Sequence, residues 1–123
     1  MASKYKNKKV AVILGFYNGN DYIETQVKSI LEQEFKNIDI YIFDDNSTLN
    51  VELKKIKSDK KTKSKIKIFK RERNVGYAKN FLLGLKEAGN NYDFYAFSDQ
   101  DDIWENNKIE DAVKEISKFE YKN

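Results

Sequence analysis

A chain of 123 residues, 40% hydrophobic and 14% aromatic, suffices for one globular domain with a true core but is short for an enzyme holding two substrates. It contains neither cysteine nor histidine, which excludes disulfides, Cys- or His-ligated zinc, a histidine base and any triad built on one. No apolar run approaches the roughly 20 residues that span a bilayer, and the Lys-rich start has no signal-peptide hydrophobic region, so a cytoplasmic protein is the default expectation.

Four strand-like runs alternate with helical patterns. Val10–Leu14 is a continuous apolar run, as in a central parallel strand covered on both faces. Asn18-Gly-Asn-Asp21 breaks it and can cap a helix whose apolar positions are Tyr22, Ile23, Val27, Ile30 and Leu31. The second strand, Ile38–Phe43, stops at Asp44-Asp-Asn-Ser-Thr48. A weak Lys-rich helix follows, and then Lys65–Phe69 alternates like an edge strand. After the loop Arg73-Asn-Val-Gly76, the residues Tyr77, Phe81, Leu82, Leu85 and Ala88 mark a helix closed by Gly89. Tyr92–Phe97 is the fourth strand, ending in Ser98-Asp-Gln-Asp-Asp102. A last amphipathic helix carries Ile109, Val113, Ile116 and Phe119.

The net charge of +3 hides a basic stretch. Lys54 to Arg73 holds nine lysines and two arginines against Asp59 and Glu72. One reading is a patch for nucleic acid or anionic lipid. A solvated helix and loop fits better, because aromatics for base stacking are nearly absent and Leu53, Ile56, Ile66 and Ile68 are spaced like buried anchors. No nucleic-acid partner is expected; peripheral membrane contact through this segment stays open.

The alternation predicts βαβ units with right-handed crossovers: a doubly wound, mostly parallel α/β sheet of strand order 3-2-1-4. Ligands of such sheets bind beyond the carboxyl ends of the strands, where the strand order switches. Every polar cluster falls at such an end: Tyr17-Asn18, Asp44-Asp45, Arg73-Asn74, and Asp99 with Asp101.

Asp99-Gln100-Asp101-Asp102 packs three carboxylates into four residues, which would repel one another without a cation. Oxygen-only ligands suit Mg²⁺ or Mn²⁺ bound jointly with a substrate diphosphate. The alternative is a cap, by Asp101 or Asp102, of a helix beginning near Ile103-Trp104. Asp44 or Asp45 can accept from a base N–H or ribose hydroxyls, although one of the two is better explained by an Asx-turn with Asn46 and Ser47. Tyr17 offers a ring for base stacking, and Asn18 is either a turn residue or a cap. Gly76 belongs to neither a dinucleotide fingerprint nor a P-loop.

Four segments together, Val12–Asn18, Ile42–Thr48, Asn74–Asn80 and Phe97–Asp102, resemble family 2 glycosyltransferases in order and spacing. The wording Ser98-Asp-Gln-Asp-Asp-Ile-Trp104 is similar to rhamnosyltransferase-like members of bacterial surface-polysaccharide pathways. The resemblance implies a GT-A fold, an inverting transfer from a UDP- or dTDP-linked sugar to a saccharide or lipid-linked saccharide acceptor, and a divalent cation, Mn²⁺ or Mg²⁺. By position, Phe16, Tyr17, Asn18, Asp44, Asp45, Asn74 and Asp99 would bind the nucleotide sugar, with Tyr17 flanking the base. Asp99 and Asp101 would hold the metal. Gly15 stands where the family commonly has proline.

The resemblance covers the N-terminal, nucleotide-sugar-binding half of such an enzyme. The acceptor half, with the catalytic base, is expected beyond Asn123, and the shortened sheet is expected to expose apolar surface that favours self-association. Two other readings are a non-catalytic nucleotide- and metal-binding module and a receiver-type signalling domain. A receiver needs its acidic pair after the first strand, where this chain has Gly15-Phe16-Tyr17.

Overall fold

A computed structural model describes the backbone of residues 7–120 and the side chains through residue 118. In chain order the elements are β1 (Val10–Phe16), α1 (Ile23–Leu31), β2 (Ile38–Asp44), α2 (Lys60–Lys65), β3 (Ile66–Lys70), α3 (Tyr77–Ala88), β4 (Phe94–Ser98) and α4 (Lys108–Glu120). The strands form one sheet of order β3-β2-β1-β4 with every pairing parallel. This is the 3-2-1-4 doubly wound order and not the 2-1-3-4-5 order of receiver-like folds.

The unbroken hydrophobicity of β1 follows from its place between β2 and β4, with Val10 through Leu14 at most 1% exposed. Alternate residues serve opposite faces. Val10, Val12, Leu14 and Phe16 join Ile38, Ile40 and Ile42 against Ile23, Val27 and Ile30 of α1 and Ile109 and Val113 of α4. Ala11 and Ile13 face the other way, with Tyr41 and Phe43, onto Phe81 and Ala88 of α3. Gly84 lets α3 lie close to β2, since a Cβ there would stand 2.7 Å from the Phe43 ring.

Several details depart from the sequence reading. The first helix has Tyr22 at its N-cap with no side-chain cap bond. Asn18 and Asn20 instead fasten the segment after β2: the Asn18 N–H donates to Ser47 Oγ (2.8 Å), Asn18 Oδ1 accepts from the Thr48 N–H (3.0 Å), and Asn20 Oδ1 accepts from the Glu52 N–H (2.9 Å). Tyr92 precedes β4, its hydroxyl donating to Asp39 at 2.5 Å. Tyr22, Ile68, Tyr77, Leu82 and Ile116 are exposed; the buried stripe of α3 is Asn80, Phe81, Gly84 and Ala88. Leu53, Ile56 and Ile66 are partly buried against the core, as their spacing implied. The last helix begins at Lys108, so neither Asp101 nor Asp102 caps a helix at Ile103. The side chain of Phe119 lies outside the described residues.

Candidate functional site

The carboxyl ends of β1, β2 and β4 and the start of α3 enclose a cavity of about 310 Å³, lined by Gly15, Phe16, Tyr17, Asp45, Asn74, Gly76, Tyr77 and Gln100, with Asn80 and Phe81 beneath. That volume suits part of a small-molecule ligand. Backbone chemistry shapes its walls. The strand-ending loops put Asn18, Asn46 and Asp101 at positive φ, a conformation short polar side chains tolerate better than other non-glycine residues. Gly76, at φ 93° and ψ 159°, occupies backbone space essentially reserved for glycine.

Of the residues expected from the sequence, Phe16, Tyr17, Asp45 and Asn74 line the cavity. Phe16 is buried and Tyr17 half-exposed, its N–H donating to Gln100 Oε1 at 2.8 Å. Asp45 is buried, and both carboxylate oxygens accept backbone N–H groups, from Val75 (2.7 Å) and Gly76 (3.0 Å). The Asn74 amide donates to the Asp45 carbonyl at 3.1 Å. A carboxylate offers about four acceptor positions, so Asp45 keeps capacity toward a ligand.

Asp44 and Asn18 do not line the cavity. Asp44 is 1% exposed and accepts the Ser47 N–H at 2.9 Å, the Asx-turn foreseen for one of the two aspartates. Asn18 bonds Ser47 and Thr48 as described.

Asp99, Asp101 and Asp102 are exposed on the lip formed by the end of β4. Asp99 accepts a hydrogen bond from the Tyr77 hydroxyl, and this bond, more than any other cause, raises the phenol's pKa above its ordinary value. Asp101 presents its N–H inward to Gln26 Oε1 at 3.3 Å. Among the described residues no three acidic side chains converge on one point. A pair of exposed carboxylates is nevertheless a chemical match for Mg²⁺ or Mn²⁺, which complete their shells with water and phosphate oxygens.

Tyr77, Gln100 and Gln26 escaped the sequence reading. By spacing Tyr77 belongs to the apolar stripe of its helix, and Gln100 stands between acids with no signal of its own. Gln26 sits among Ile23, Val27 and Ile30 on the buried stripe of α1, and a polar residue at an apolar register position was the signal.

The sequence model described as "Glycosyl transferase family 2" matches residues 11–123. The dTDP-rhamnosyl transferase RfbG of Shigella flexneri is 42% identical over 99 residues, covering 79% of this chain and 34% of that protein. The UDP-Glc:alpha-D-GlcNAc-diphosphoundecaprenol beta-1,3-glucosyltransferase WfgD of Escherichia coli is 34% identical over 110 residues, covering 89% and 41%. Among solved structures, S. aureus TarS 1–349 in complex with UDP superposes with a TM-score of 0.71 at 26% identity, over 89% of this chain and 32% of that one. The chain therefore spans 32% to 41% of the length of these proteins.

Proposed function

The chain belongs to glycosyl transferase family 2, and from that premise we propose that it is the nucleotide-sugar-binding half of an inverting glycosyltransferase. The observation that carries the proposal is the cavity at the carboxyl ends of β1 and β2, lined by Tyr17, Asp45 and Asn74, with the exposed Asp99 and Asp101 in the loop that follows β4. Its donor is a UDP- or dTDP-linked sugar. Two relatives are a dTDP-rhamnosyl transferase and a UDP-Glc-dependent glucosyltransferase, and a structural neighbour is in complex with UDP.

Tyr17 flanks the base, Asp45 accepts from base or ribose, and Asn74 steadies the Asp45 loop. Asp99 and Asp101 hold a divalent cation, Mn²⁺ or Mg²⁺. Such an ion offsets the negative charge that develops on a diphosphate leaving group. A structure of similar fold, a mannosyltransferase from Pyrobaculum calidifontis, is in complex with GDP-Man and Mn²⁺. All these groups serve the leaving-group side. The base that takes the acceptor's proton must stand on the opposite face, and we place it outside residues 1–123.

The acceptor is a saccharide or a lipid-linked saccharide, in bacterial surface-polysaccharide synthesis. No helix among the described residues is long and apolar enough to cross a membrane. A cytoplasmic chain that meets the membrane through the exposed lysines between Lys54 and Arg73 fits such an acceptor. The half-exposed Phe97 on β4, whose outer edge has no partner strand among the described residues, offers a surface for self-association.

Calorimetric titration of UDP and dTDP with Mn²⁺, and again with chelator, tests the reading. At least one nucleotide should bind about tenfold more tightly with metal, a difference of about 1.4 kcal/mol. Equal affinity would sink the metal assignment, and no binding of either nucleotide would sink the proposal.

A further inference from the structure

Helix α1 and the turn that follows it carry a buried polar ladder. Gln26 and Gln33 are 0% exposed and Ser29 is 8% exposed. Buried polar groups persist in a core when their hydrogen bonds are made; Ser29 donates to the Gln26 carbonyl and Gln33 to the Ser29 carbonyl, and their other partners lie between Ser98 and Ile109. Ser29 Oγ accepts from the Trp104 N–H at 3.1 Å. Gln33 donates to the Glu105 carbonyl at 2.6 Å and accepts from the Ile109 N–H at 3.0 Å. Those two rungs fix the approach to α4.

The Gln26 rung acts elsewhere. Its amide nitrogen donates to Ser98 Oγ at 2.9 Å and to the Asp99 carbonyl, and its oxygen accepts from the Asp101 N–H. One side chain thus grips the peptide group on each side of Gln100. With those two groups turned inward, the Asp99 and Asp101 side chains leave toward solvent and the Gln100 side chain turns back to the Tyr17 N–H. The grip also steadies Asp101 at φ 62°.

We propose that Gln26 is a positioning residue for the cation-binding carboxylates: by bonding the Asp99 carbonyl and the Asp101 N–H it sets the backbone from which both side chains extend, without touching either carboxylate. The inference rests on the reading of Asp99 and Asp101 given above. Two carboxylates on a freely moving loop must be ordered at the moment of binding, whereas a pre-set loop has met that entropy cost in folding. Groups that orient metal ligands typically contribute tenfold to a hundredfold to metal affinity.

The experiment compares Gln26→Met with Gln33→Met, two substitutions of similar volume that each remove one rung. UDP and dTDP are titrated with Mn²⁺ and with chelator, and hydrogen exchange of the Asp101 amide is followed in the free protein. Gln26→Met should reduce the Mn²⁺-dependent gain in nucleotide affinity about tenfold, keep the chelator affinity within about twofold and speed Asp101 exchange. Gln33→Met should lower the melting temperature yet keep the gain. A full gain in Gln26→Met, or an equal loss in Gln33→Met, overturns the inference while leaving the metal reading intact. A wild-type protein without any Mn²⁺ gain removes the metal reading, and this inference with it. Should Gln26→Met not fold, Gln26→Leu, which also removes donor and acceptor without adding a charge, is read in the same way.

Discussion

Strands β2 and β4 both end in aspartates at the same rim, and the fold treats the two clusters in opposite ways. Asp44 and Asp45 are 1% and 3% exposed and accept backbone N–H groups of Ser47, Val75 and Gly76. Asp99 and Asp101 are exposed. The difference comes from the neighbours. Strand β2 is internal, so the end of β1 and the turn after β3 flank its end: the Asp45 N–H donates to the Phe16 carbonyl (2.9 Å) and the Arg71 N–H to the Asp44 carbonyl (2.8 Å). Among the described residues strand β4 pairs with β1 alone, and its terminal loop is tethered through Gln26 and leaves its carboxylates outward. A carboxylate at a strand end can thus be an anchor for the backbone or a hand held out to a ligand.

The contrast can be broken most severely at Asp45. Asp45→Ala leaves two half-buried backbone N–H groups without their charged acceptor, costing about 3 kcal/mol. For a domain of this size that is a fall in melting temperature of roughly 10 °C. A variant melting with the wild type would show that Asp45 anchors nothing.

At the other cluster the effect should be on binding and not on folding. Asp101→Asn changes an exposed residue to one that also tolerates positive φ, so stability should stay within about 0.5 kcal/mol. Most of the Mn²⁺-dependent gain in nucleotide affinity should vanish. Unfolding by more than about 2 kcal/mol would make Asp101 an anchor like Asp45 and erase the distinction.

The smallest effect is expected at Tyr77, whose hydroxyl must release Asp99 before a cation can use that oxygen. Tyr77→Phe removes this competition and should raise Mn²⁺-dependent nucleotide affinity roughly twofold to fivefold, as befits one exposed hydrogen bond. The phenol's pKa is raised, so the proton that bridges to Asp99 stays in place below the ordinary tyrosine value near pH 10. The Tyr77→Phe gain should therefore be present throughout the neutral range. A loss of affinity would mean that Tyr77 contacts the ligand itself.

The order of elements, the parallel sheet and the grouping of polar clusters on one rim were legible in the sequence. Each rests on a local signal: the unbroken run Val10–Leu14, the Gly76 and Gly89 breaks around the helix of Phe81, and aspartates directly after Phe43 and Ser98. Exposed apolar residues were less legible. Leu82 and Ile116 fit helical spacing yet face solvent, because the described elements cover only part of each helix.

Sequence alone determined which residues reach the rim, since strand period and chain breaks act over a few residues. Tertiary structure decided what each does there. Asp45 became an anchor through N–H groups 30 and 31 residues away. Gln26 met the Asp101 N–H across 75 residues, and Tyr77 met Asp99 across 22. Hydrogen bonds of that span have no periodic trace in a sequence, because they depend on the angle and depth at which separately formed elements pack.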